Sequence, residues 1–285
     1  MNVHEIMLPH GLWRDGVCHR RAWLRPLDGE DLIFLWERGA ELTPAAWTTL
    51  LLQRSARRIG EISAVSADDV RQLCVGDREA LTLHLRRLTR GDAMPAVLTC
   101  PACGADMDLD IQVSKLLVRV DEPISLVHQT DIVHDGRAYS AHFRLPTGED
   151  QEAVLDLALQ DMQAARRQLL GRCILSVEDL SLDSLPDAIL SDIIEHMGSL
   201  MANLDPQADL WFQVTCPECS HFFQAPFDPA SYFRRELEDE AVVLFEEIHT
   251  LALSYHWPED AILRLSRRRR QRYLAMIEES LSVYG

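Results

Sequence analysis

Two short stretches, LTCPACGAD around Cys100 and QVTCPECSH around Cys216, each carry Thr-Cys-Pro-X-Cys, and they stand more than a hundred residues apart in a chain of 285. A Cys-X-X-Cys turn aims two sulfurs at one point and so supplies half of a four-coordinate metal site. If one ion takes both halves, distant parts of the chain must meet around it. That spacing is foreign to a linear zinc finger. It suits a unit that occurs twice and contributes one knuckle per copy.

The rest of the sequence carries signs of such a repeat. RDGVCHRRAWLRPLDGED, ending at Asp31, is similar to HDGRAYSAHFRLPTGED, ending at Asp150. Asp15-Gly16 and Asp135-Gly136 are favoured hairpin turns because both residues tolerate positive φ, and strand-compatible residues follow each. Asp28 and Thr147 then stand at N-cap positions, each with an acid three residues on, Asp31 and Asp150, which predicts a helix start. Further on, DREALTLHLRRL and PDAILSDIIEHMGSLMANL read as helices that lead to the knuckles, the second with Ile189, Ile193, Met197, Leu200 and Leu204 on one apolar stripe. After the first knuckle Met107, Leu109, Ile111 and Val113 alternate with polar residues as a half-buried strand does.

The expected fold class is therefore α+β: an internally duplicated hairpin-helix-knuckle unit, joined by a zinc-ribbon-like four-cysteine site and followed by a helical C-terminal region. The expected divisions are residues 1–115, 116–228 and 229–285.

Cys100, Cys103, Cys216 and Cys219 are the candidate metal ligands. Four thiolates suit tetrahedral Zn²⁺ at about 2.3 Å each and leave no open position for substrate, so the ion would be structural. Such sites contribute roughly 10–16 kcal/mol in finger peptides. A redox dithiol is disfavoured by the lack of a βαβ pattern, and a disulfide within each pair by its short strained loop. An iron–sulfur cluster uses the same ligands and would colour the protein. Cys18, Cys74 and Cys173 read as small core residues.

From Asp228-Pro229 a long helix is expected, with Phe233, Leu237, Ala241, Leu244, Ile248, Leu251 and Tyr255 recurring every three or four residues. Six of these, Phe233, Leu237, Leu244, Ile248, Leu251 and Tyr255, are the candidate partner-binding residues. A short helix with Ile262 and Leu263 follows Pro258, and Ser266 caps a last helix. Arg267 to Arg270 with Arg272 form a basic cluster that reads as a solvated face or a docking patch for acidic groups. His249 and His256 read as packed side chains.

The formal net charge of −17 argues against a general nucleic-acid binder, which needs an excess of Lys and Arg on its docking face. With no apolar run of about eighteen residues and no leader pattern, the chain is expected to be cytoplasmic, with no membrane contact. Nucleophile elbows, phosphate loops and dinucleotide fingerprints are absent, so no catalytic residue and no small-molecule substrate are expected.

LTCPACGADMDLDI, FRLPTGED, VTCPECSHFFQAPFDPASYF and EEIHTLALSYHWPEDAILRLSRRRRQRYLAMI together resemble the baseplate hub assembly chaperone family of contractile-tailed, T4-like phages and related contractile injection systems. The resemblance runs from about Trp23 onward. It implies a non-enzymatic assembly factor whose partners are baseplate hub or tube-initiator proteins; a baseplate subunit retained in the particle and a zinc-ribbon nucleic-acid adaptor are the alternatives. It supplies no catalytic residue, and the metal reading rests on this chain's own cysteine spacing.

Overall fold

A computed structural model describes residues 3–119, 125–134, 136–178 and 187–284. Asp135 of the second expected turn and the side chain of Ile189 lie outside the described residues.

The Asp-Gly turn forms as the sequence predicts. Asp15 and Gly16 take φ of 51° and 76° between β1 (His4–Arg14) and β2 (Val17–Leu24). A bulge in β1 between Met7 and Leu12, with Gly11 at φ 89°, bends the strand. The chain then forms α1 (Gly29–Gly39) and α2 (Pro44–Ser55), and returns to the sheet as β3 (Ala56–Ile59), giving the order β1-β2-β3. Next come α3 (Ala67–Gln72), α4 (Val75–Arg90), the hairpin β4 (Ala93–Thr99) and β5 (Asp106–Gln112), and the single turn α5 (Val113–Leu116).

A similar order then recurs, with no counterpart of α3 among the described residues. A hairpin of β6 (His128–His134) and β7 (Arg137–Phe143) leads to α6 (Gly148–Ala158) and α7 (Met162–Cys173). The strand β8 (Ile174–Val177) joins as β6-β7-β8. α8 (Asp187–Leu204) and a 3-10 turn, Pro206–Ala208, precede the hairpin β9 (Leu210–Thr215) and β10 (Phe222–Phe227). Three helices complete the chain: α9 (Pro229–Tyr255), α10 (Glu259–Leu263) and α11 (Arg267–Tyr284).

Matching positions make matching bonds. Asp28 and Thr147 cap α1 and α6, each in a capping box with Asp31 or Asp150. The Arg25 amide donates to Ser55 O at 3.1 Å, and the Arg144 amide to Cys173 O at 2.9 Å. Their guanidinium groups reach Arg54 O at 3.4 Å and Arg172 O at 3.3 Å. Asp150, fully buried, also accepts from the Arg144 and Arg172 guanidinium groups. Burial opposes its charge, but these donors outweigh it and hold the Asp150 carboxyl down at about 2.

The chain divides into two compact units, Met1–Pro26 with Thr43–Ala230, and Leu27–Leu42 with Ser231–Gly285. This differs from the expected boundaries at 115 and 228. Both knuckle-bearing stretches belong to the first unit, and α1 joins the C-terminal helices in the second.

In the first unit, Leu8, Leu24, Leu51, Leu52, Ile59, Leu81 and Leu85 are fully buried, each worth about 1.5–3 kcal/mol of transfer free energy. A second cluster, around Phe143, Cys173, Val177, Ile193 and Met197, lies under β6-β7-β8. A polar tie links the two: the buried Arg78 donates to Thr49 Oγ1, Val70 O and Ala45 O, while Glu152 on α6 accepts from Thr49 and Arg71. Gly148 is required beside it, because a Cβ there would lie 2.3 Å from Arg78 Nη1.

In the second unit, Trp36 of α1 meets Phe245 of α9 edge-on at 5.1 Å, and a Cβ on Gly29 would touch Leu263 at 3.3 Å. Arg234 closes the C-terminal end of α1, donating to the carbonyls of Gly39, Ala40 and Leu42. One member of the basic cluster departs from its reading as a solvated face: Arg270 is buried against Glu247 at 2.6 Å, whereas Arg267, Arg268, Arg269 and Arg272 are exposed, Arg267 pairing with Glu240 at 3.4 Å. His249 and His256 are exposed rather than packed.

Candidate metal centre

Each knuckle sits at the tip of a two-stranded antiparallel hairpin. Thr99↔Asp106 is the last pair of β4-β5 before the first tip, and Thr215↔Phe222 the last of β9-β10 before the second. Above those pairs the backbone closes in the same way twice. The Cys100 amide donates to Ala105 O at 2.8 Å, and the Cys216 amide to His221 O at 2.9 Å. Gly104 N–H donates to Cys100 O, and Ser220 N–H to Cys216 O, both at 2.9 Å. The turn needs positive φ at its exit, where Gly104 has 75° and Ser220 has 59°.

These tips bring all four sulfurs together. Cys100 Sγ lies 3.7 Å from Cys219 Sγ, and Cys103 Sγ lies 3.7 Å from Cys216 Sγ. All four lie within 4.8 Å of one another. A tetrahedron with bonds of about 2.3 Å has edges of about 3.8 Å, so the short contacts match the edges of a single four-thiolate site. Both run between knuckles rather than within one, as a shared ion requires. Cys100 and Cys216 are buried, Cys103 and Cys219 exposed, and Met107, Leu98, Val214 and Phe223 pack beneath them.

The N–H groups around the first knuckle also favour thiolate. Burial raises the Cys100 thiol, but hydrogen bonds from the backbone of Cys103 and Ala102 outweigh it and bring it to about 6. At Cys103 the Ala105 amide also favours thiolate, but contact with the Cys219 sulfur, together with burial and the other two sulfurs, outweighs it and pushes the thiol up to about 12. Four cysteines in this arrangement can hold a metal ion without admitting water as a fifth participant.

The six residues expected to bind a partner fare differently. Phe233, Leu237, Leu244, Ile248 and Leu251 are buried, and Tyr255 is half-buried against Trp257 and Tyr273. As a correction, this stripe is core of the monomer and offers no open surface. The apolar side chains that α9 does expose are Val242, Val243 and Leu253.

A second set of buried donors, His10, Cys74 and Asp205, also comes within 4.8 Å. No local spacing ties the three together in sequence, and Cys74 alone reads as a core residue.

No helix among the described residues is long and apolar enough to cross a membrane. A family model described as T4 bacteriophage base plate protein matches residues 54–234, which include both knuckles. Neither the curated proteins nor the solved structures give a match to the chain.

Proposed function

Because the chain belongs to the family of T4 bacteriophage base plate proteins, we propose that it is a non-enzymatic assembly factor for the hub of a contractile phage tail or contractile injection system, held together by a structural zinc ion. The observation that carries the structural half of this reading is the convergence of the two knuckles, whose 3.7 Å contacts suit one tetrahedral ion. The recurring order of hairpin, two helices, third strand, helix and knuckle hairpin supports an internal duplication, clasped in zinc-ribbon fashion by its two tips.

The assembly role rests on family membership together with charge. A net charge of −17 keeps the factor soluble and attracts basic faces of unassembled hub or tube-initiator subunits in the cytoplasm. Client contact is assigned to the exposed side of the C-terminal helices, at Val242, Val243 and Leu253, in place of the buried stripe.

The test is co-expression with a hub subunit of the same tail, followed by mass spectrometry of finished particles. A soluble complex whose factor is missing from the particles is expected. Retention in the particles would make it a structural subunit instead. Leu253→Glu should weaken the complex while leaving the zinc content unchanged.

A further inference from the structure

Three segments far apart in sequence converge inside the first unit. The bulge of β1 turns His10 inward, the first turn of α4 brings Cys74 and Asp77, and Asp205 follows the end of α8. His10, Cys74, Asp77 and Asp205 are all more than nine-tenths buried. Each segment is fixed by backbone bonds. Asp77 accepts from the amides of His10 at 2.8 Å and Gly11 at 2.7 Å, and Asp205 Oδ2 accepts from the Gly76 amide at 2.8 Å. Gly76 is required for that approach, since a Cβ there would lie 1.8 Å from Asp205 Oδ1.

What remains is a set of donor atoms with excess negative charge. His10 Nε2 lies 3.0 Å from Asp205 Oδ1, and Cys74 Sγ falls within 4.8 Å of both ligand groups. His10 Nδ1 is buried with no hydrogen-bond partner. When both carboxylates are ionised against one imidazole, the cluster is negative whichever way the imidazole is protonated, and ionising the thiol adds to it. Buried charge of this kind is costly unless a cation joins it.

We propose that His10, Cys74 and Asp205 form a second metal site, distinct from the cysteine knuckles and suited to Zn²⁺ or a similar borderline divalent ion. One imidazole, one thiolate and one carboxylate are the donor types such ions take, and three protein ligands leave a fourth position open. Asp77 is a positioning residue, holding the bulge that carries His10. A groove of about 390 Å³, lined by Val75, Arg166, Met201 and Asp205, borders the cluster on its Asp205 side. Binding would release the thiol proton and any proton on the ligating imidazole nitrogen, and the positive charge left over would be offset by the carboxylates of Asp205 and Asp77.

The experiment is metal counting on the full chain, stripped with a chelator and reloaded with Zn²⁺ alone, then with Co²⁺ as a spectroscopic probe. The wild type should hold two equivalents. Cys74→Ser and His10→Gln should each hold one, and should lose from the Co²⁺ spectrum a component with weaker sulfur-to-metal absorption than a four-thiolate site gives. A wild type holding a single equivalent with only four-thiolate absorption overturns the proposal, even if every variant fails to fold. So does a second equivalent that survives both substitutions. Loss of metal from the knuckles alone, with the second equivalent retained, would sink the clasp while leaving this site standing.

Discussion

The hairpin that ends in Cys100 and Cys103 and the one that ends in Cys216 and Cys219 close their tips with the same two backbone hydrogen bonds, yet the strands below them share little. On the outer face of the first, Asp106, Asp108 and Asp110 alternate along β5, opposite Thr99, Val97 and Pro95. On the second, the outward positions hold Trp211, Gln213, Phe222 and Gln224. The inner faces both turn apolar side chains toward the sulfurs, with Leu98 and Met107 from one and Val214 and Phe223 from the other. The convergence of four sulfurs fixes the tip, and burial fixes only the polarity of the face beneath it. Everything pointing outward is free to diverge.

That equivalence can be broken experimentally. The largest effect should come from the buried sulfurs: Cys100→Ser and Cys216→Ser should each abolish metal binding at the knuckles and lower Tm by about 10 °C or more, measured by calorimetry with metal analysis. If only one of the two does so, the knuckles do not share an ion. Next is the corner at Asp150, where Asp150→Asn strands two guanidinium groups and should cost about 3 kcal/mol in urea unfolding.

The same corner has a pH signature. Its folded pKa, about 2, lies below the unfolded value, so its stabilisation is complete above about pH 4 and is lost as pH falls through 2. Over that interval the wild type should lose about 2 kcal/mol more than Asp150→Asn. The smallest effects concern the knuckle exits. Ser220→Gly should stabilise by about 0.5–1 kcal/mol by relieving positive φ, whereas Gly104→Ala should destabilise by about 1 kcal/mol.

Much of this architecture is legible in the sequence, where the responsible chemistry is local. A Cys-X-X-Cys turn, an Asp-Gly turn and a cap with an acid three residues on are each complete within a few residues, and Cys100, Asp15 and Thr147 behave as read. Ile193 and Met197 are fully buried, as their spacing predicts. Periodicity tells that a helix has an apolar face, but not what covers it. For that reason Phe233, Leu237, Leu244, Ile248 and Leu251 read as a docking surface and turn out to be core. Arg270 was hidden for a similar reason, since its partner Glu247 lies on another helix. The approach of His10 to Asp205 depends on a bulge and on a glycine at 76, and neither has a side-chain signature.

The discontinuity of the second unit has a consequence for the nascent chain. Gly29 and Trp36 on α1 find Leu244, Phe245 and Leu263 only after roughly 200 further residues have been made. At about 5–20 residues per second, that leaves α1 waiting on the order of 10–40 s. A ribosome-bound fragment that stops before residue 230 should be cut by protease within α1 while its knuckles resist. Translation speed thereby sets how long the apolar side of α1 stays uncovered, a window in which the molecule itself is in need of a chaperone.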